Sequence, residues 1–134
     1  SEQRRFIAFV IERERRFLVR RRPRGVVNAE LWEFPNVEIA AEECADIALA
    51  RLARGLRAGS VKPVLRLRHS ITRYRITVEV YRVAAARDAI KALGPVSWQS
   101  KANLSRLAFT GAHRQIADWL VQARKKTVLP ILKT

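Results

Sequence analysis

The sequence predicts a single α+β domain, and three observations predict it. Short runs of β-branched and aromatic residues recur between turn signals, an Ala-rich helical stretch separates two groups of them, and an amphipathic stretch comes near the end. The 134 residues suffice for one packed core and not for two, and a hydrophobic content of 49% supplies the apolar surface that must offset ordering entropy.

Residues 5–11 and 17–19 read as the two strands of a hairpin whose turn is the charged stretch 12–15. Arg20-Arg21-Arg22-Pro23-Arg24-Gly25 ends the second strand, because proline has no N–H for a ladder. Residues 26–36 read as a loop that holds Leu31-Trp32-Glu33-Phe34-Pro35. The spacing predicts a helix over 39–56, with Ile47, Leu49, Leu52 and Leu56 on one stripe. Its acids (Glu38, Glu42, Glu43, Asp46) come early and Arg51, Arg54 and Arg57 come late, as the helix dipole favours.

Alternation over 64–69 and 76–83 predicts two more strands around a basic turn at 70–73. Residues 84–92 read as a linker or short helix, Gly94-Pro95 as a break and 96–98 as a short strand. A last helix is expected over 112–126, with Ile116, Trp119, Leu120 and Ala123 facing inward, followed by a C-terminal tail at 127–134. Trp32, Trp98 and Trp119 are expected in or near the core, and His69 half-buried and hydrogen-bonded against the sheet.

Lys and Arg number 27 against 12 Asp and Glu, a net charge of +15 that points to a polyanionic partner. Nucleic acid ranks ahead of acidic lipid, because no basic amphipathic helix dominates the sequence. No apolar run approaches the roughly 20 residues of a membrane span. The single cysteine, Cys44, excludes an internal disulfide, an iron–sulfur cluster and a Cys-rich zinc site within this chain. It also suits a reducing compartment. A start at Ser1 without Met suggests one piece of a longer protein.

Arg66, Arg68, Arg73, Arg75 and Arg82 lie along the second hairpin, where alternation puts several on one face and only Glu79 offsets them. An ordinary solvated face mixes signs, so this one reads as a phosphate-binding face. The clusters Arg13, Arg15, Arg16 and Arg20, Arg21, Arg22, Arg24 either extend it or face the rest of a larger enzyme.

The order hairpin, Arg-Pro, loop, Trp-Glu-Phe-Pro, helix and further strands resembles the Nudix hydrolase fold, a mixed β-sheet packed between helices. In that family a glycine follows the Phe-Pro, and Glu side chains on the helix hold Mg²⁺ against a pyrophosphate. Here Asn36-Val37-Glu38 takes the glycines' place, and the family's metal-binding Glu positions fall at Ala48, Arg51 and Leu52. A one-residue slip does not restore them, and no carboxylate lies between Asp46 and Glu79. Glu38, Glu42 and Glu43 are either a displaced metal cluster or solvated acids of a helix's first turn.

Four segments in order are similar to the C-terminal domain of A/G-specific adenine DNA glycosylases (MutY). They are Arg22-Pro23 with Gly25, Leu31 to Glu38, Arg68-His69-Ser70-Ile71-Thr72-Arg73-Tyr74-Arg75-Ile76, and Leu107 to Ile116 with its Gly111-Ala112-His113-Arg114. That family's hairpin tip, typically Phe-Ser-His, reads 8-oxoguanine through the Ser. Carried over, Ile71 takes the Phe position, Thr72 the Ser position and Arg73 the His position. Thr72 keeps a hydroxyl that donates and accepts, whereas Ile71 cannot stack aromatically and Arg73 adds a permanent cation suited to phosphate.

The resemblance implies a domain of base excision repair that recognises 8-oxoguanine opposite adenine and cuts no bond itself. Ile71, Thr72 and Arg73 are its expected lesion-reading residues, and Arg66, Arg68, Arg75, His113 and Arg114 its expected contacts to the DNA backbone. Expected partners are duplex DNA containing 8-oxoguanine and the enzyme's own catalytic domain, with the fragment monomeric and the protein cytoplasmic and nucleoid-associated in a bacterium. No cofactor or metal is expected in this chain; a 4Fe–4S cluster is expected in the catalytic domain. The alternatives are a free-standing Nudix-fold hydrolase of oxidised nucleotides with a displaced metal site, and a basic module for RNA or protein.

Overall fold

The computed structural model describes residues 2–122 and 131–133. Strands β1 (Glu2–Val10), β5 (Asn36–Ile39), β6 (Val61–Ile71), β7 (Tyr74–Val83) and β9 (Ile131–Lys133) form one mixed sheet in the order β5-β1-β7-β6-β9. A second sheet joins β2 (Glu12–Arg13), β3 (Arg16–Arg21) and β4 (Trp32–Glu33), with β8 (Ser97–Ser100) also paired to β3. Helices are α1 (Ala45–Gly55), α2 (Arg87–Lys91), α3 (Lys101–Leu104) and α4 (Gly111–Val121).

Side chains alternate across each strand, so the five-stranded sheet has two differently dressed faces. On one, Ala8, Val10, Leu65, Leu67, Val78 and Val80 pack against Phe17, Phe34, Leu104 and the Ile116 and Leu120 stripe of α4. On the other, Ile7, Phe9 and Ile39 pack with Ala48 of α1, Leu56 and Ile90 of α2. The expected α+β sheet packed between helices is the observed fold, and Trp32, Trp98 and Trp119 lie partly buried at the edges of these two clusters.

Several element boundaries differ from the sequence expectation. Residues 5–11 and 17–19 do not pair as one hairpin: β1 lies between β5 and β7, and the tight hairpin joins β2 to β3 through Glu14 and Arg15. Both of these turn residues have positive φ (51° and 65°), the pattern of a type I′ turn, achieved here without glycine. The stretch 26–36 contains β4, and Ile39 belongs to β5, where it pairs with Arg5, so the helix begins at Ala45. Ile47 faces out at 67% exposure while Ala48 is buried.

The second hairpin is longer than its alternating core and its tip is shorter. Ile71 pairs with Tyr74, leaving Thr72 and Arg73 as a two-residue turn. Helix α3 was not foreseen; Ser100 Oγ caps it by accepting from Asn103 N at 3.2 Å. Helix α4 begins at Gly111, and Ala123 lies outside the described residues. Within the expected tail, residues 131–133 form a strand parallel to Arg66–Arg68 of β6, and the rest of 127–134 lies outside the described residues.

Candidate nucleic-acid interface

The β6–β7 hairpin carries its turn beyond the body of the sheet, where Ile71, Thr72 and Arg73 are all exposed. Thr72 has φ +52°, a conformation that costs a β-branched residue about 1 to 2 kcal/mol. Positive φ at only the first of the two central residues is the II′ pattern, which matches the twist of the flanking strands. Glu2 N donates to Arg73 O at 2.8 Å, so the start of β1 holds the turn from the side.

Register decides which face each basic residue serves. Arg66, Arg68 and Ser70 of β6 lie opposite Glu79, Thr77 and Arg75 of β7, on the face that α1 covers farther along. Arg68 and Arg75 are exposed and, among the described residues, join no ion pair. They line a groove of about 560 Å³ with Gln3, His69, Ser70, Ile76 and Thr77. Arg66 is different: its guanidinium lies 3.5 Å from the Glu79 carboxylate, half-buried, so its charge is already offset. Arg82 pairs with Glu12 at 2.6 Å and, by register with Val10, lies on the opposite face.

His69 projects on the face of Leu67, away from Arg68. It is half-buried as expected, but its Nε2 has no hydrogen-bond partner among the described residues, and burial lowers its pKa. His113 departs further from expectation. It is buried at 8% exposure, its Nδ1 accepts the Phe34 N–H at 2.9 Å, and its ring stacks near that of Phe34. Burial lowers its pKa to about 4, so it is a neutral core acceptor and not a phosphate contact. Arg114 turns its guanidinium onto Leu104 O, Leu107 O and Asp118, tying down the segment between α3 and α4 instead of facing a backbone phosphate.

The Nudix family's Mg²⁺ does not fit the residues present on α1. Its side-chain positions hold Ala48, Arg51 and Leu52, and Arg51 would repel a divalent cation. Two of the nearby acids are engaged elsewhere: Glu38 forms two hydrogen bonds with Arg4 (2.6 and 2.9 Å), and Glu43 pairs with Arg51 at 2.9 Å. These neighbours hold both carboxyls below their ordinary pKa, the Arg4 and Arg51 hydrogen bonds being the largest causes. Among the described residues no three His, Cys, Asp or Glu side chains gather as a metal site.

Sequence reasoning missed Gln3 in the groove, and Arg4 near the Phe6 and Tyr74 rings. Tyr74 and Arg75 were visible as the residues after the tip, but the parallel partner strand β1, which brings Gln3 and Arg4 alongside, leaves no local signal.

The model of the NUDIX domain matches residues 7–119, and the chain belongs to that family. Among solved structures the fold is similar to the Escherichia coli ORF135 protein, at 19% identity over 95% of this chain and 96% of that one, with a TM-score of 0.67. It is likewise similar to the C-terminal domain of mouse MUTYH, determined in complex with human PCNA, at 19% identity, 93% and 94% coverage and a TM-score of 0.61. Shewanella oneidensis NrtR, complexed with a 27mer DNA, matches at 16% identity over 84% of this chain and 58% of that one, with a TM-score of 0.61. No curated protein matches the sequence. No helix among the described residues is long and apolar enough to cross a membrane.

Proposed function

We propose that this domain recognises 8-oxoguanine opposite adenine in duplex DNA, as the lesion-reading part of an A/G-specific adenine glycosylase. The observation that carries the reading is the hairpin tip: an exposed Thr72 on a strained backbone, beside a groove that holds Arg68 and Arg75, which join no ion pair among the described residues. Arg68 and Arg75 hold phosphates and set register, Thr72 addresses the altered base edge, Ile71 wedges beside the stack, and Arg73 grips the phosphate next to the lesion. No bond is cut by this fragment. Catalysis and a four-cysteine iron–sulfur cluster belong to the catalytic domain, since this chain's one cysteine, the exposed Cys44, supplies a single ligand.

Fluorescence anisotropy with duplexes holding adenine opposite 8-oxoguanine or opposite thymine tests this. Tighter binding of the lesion duplex, lost in Thr72→Ala, is expected; equal affinity for both would overturn the reading.

A second reading, a free-standing hydrolase of oxidised nucleotides, has one observation in its favour. A groove of about 570 Å³ beside β3 is lined by Arg20, Arg21, Arg22 and Arg24, which pair with Glu30 and Glu33 in the same lining, and by Val26, Leu93 and Pro95, an apolar wall that suits a planar ligand. Mg²⁺-dependent turnover of 8-oxo-dGTP that survives Thr72→Ala would favour it over the first.

A further inference from the structure

Near the tip, on the face opposite Arg68 and Arg75, cations and aromatic rings alternate along β1 and β7. The Arg4 guanidinium lies 5.3 Å from the Phe6 ring centroid and 5.5 Å from that of Tyr74. The Arg73 guanidinium lies 5.3 Å from the same Tyr74 ring, and its Nη2 donates to Tyr74 Oη at 3.3 Å. All three separations are within cation–π reach.

Two guanidinium groups on one ring repel each other unless one is neutralised. Glu38, from β5, does this by accepting from both Nε and Nη2 of Arg4, in the planar fork geometry that fixes a guanidinium's orientation as well as its position. Both partners are about two-fifths exposed, so the ion pair contributes little to stability, which leaves orientation as its main effect. Register makes the arrangement possible: Tyr74 lies beside Glu2, Ile76 beside Arg4 and Phe6 beside Glu38, so the set shares one face.

We propose that Tyr74 is a positioning residue, its ring held by the Glu38–Arg4 pair, that presets the Arg73 guanidinium beside Thr72 for a backbone phosphate. A free arginine side chain samples many rotamers, and ordering it before binding removes part of that entropic cost from association. This rests on the reading of the tip as a DNA contact.

A double-mutant cycle with a plain and a lesion duplex tests it, together with NMR order parameters for the Arg73 Nε–H in the free protein. Tyr74→Leu is expected to weaken both duplexes about two- to fivefold and to loosen Arg73, Tyr74→Phe to restore most of the affinity, and Tyr74→Leu to cost nothing further in an Arg73→Ala background. Glu38→Gln, which leaves the ring intact, should loosen Arg73 in the same direction and covers the case of a Tyr74→Leu chain that does not fold. An unchanged Arg73 order parameter, or effects of Tyr74→Leu and Arg73→Ala that simply add, overturns the proposal. Loss of lesion preference in the wild type would instead strike the function proposed above, since Arg73 ordering is read without DNA.

Discussion

His113 Nδ1 accepts the Phe34 N–H at 2.9 Å, joining the first turn of α4 to the Trp-Glu-Phe-Pro segment across 79 residues of chain. Phe34 is fully buried, and its N–H lies where no strand ladder supplies a partner. The imidazole meets that need, and only its neutral form leaves Nδ1 free to accept. His113→Ala is therefore expected to cost about 2 to 4 kcal/mol in urea denaturation, combining a cavity with an orphaned N–H.

The same contact sets a pH dependence. Burial holds His113 near 4 in the folded chain, with Arg20 and Arg22 acting in the same direction and Glu33 opposing, whereas the unfolded chain takes up that proton at about 6.5. The unfolded state binds more protons between those values, so the contribution is complete above pH 6.5 and is lost as pH falls toward 4. His69, also lowered by burial, adds in the same sense. Denaturation at pH 7 and pH 5 should show a loss on the order of 2 kcal/mol from His113, and a His113→Gln chain should lack that part.

Under the proposed function, substitutions of Thr72 should separate stability from recognition. Thr72→Gly removes the left-handed strain at φ +52° and should raise stability by about 1 kcal/mol, read as a higher Tm. It should also remove discrimination for the oxidised base, as should Thr72→Ala, by about 1 to 3 kcal/mol. A glycine variant that keeps full discrimination would take the hydroxyl out of the mechanism.

Arg68→Gln and Arg75→Gln should each weaken every duplex alike and reduce the slope of log K against log salt by about one. Arg66→Gln should change that slope much less, because Glu79 already offsets its charge. Titrations across a salt series compare the three directly.

Glu33 is buried at 4% exposure and is held by Arg22 at 3.0 Å and Arg20 at 3.7 Å. Removing Arg22 leaves a buried carboxylate short of its nearest cation, and Arg22→Ala is expected to cost about 3 kcal/mol. Arg24→Ala should be nearly silent, since its side chain is 89% exposed and its contact with Glu30 is 3.6 Å. Thermal denaturation of the two variants distinguishes the buried pair from the surface one.

The alternation of β6 and β7, the apolar period of α4 and the lack of carboxylates at the Ala48, Arg51 and Leu52 positions of α1 were all legible in the sequence, because each depends on residues within a few positions of one another. The turn at 70–73 was legible too, whereas its tightening to the two residues Thr72 and Arg73 came from strand pairing that runs on to Ile71 and Tyr74. The charge excess of +15 is likewise a property of sequence alone. Tertiary structure decided which arginines are free. Arg66, Arg82 and Arg114 have their charges or donors engaged by Glu79, Glu12 and the carbonyls of Leu104 and Leu107, while Arg68 and Arg75 join no ion pair among the described residues. It also placed His113 in the core and Arg4 beside Tyr74, through helix packing and a parallel strand pairing that join residues about 70 or more positions apart. Side-chain type sets what a residue can bond to, but its partner is fixed by which distant strand or helix packs against it, and local sequence carries no record of that choice.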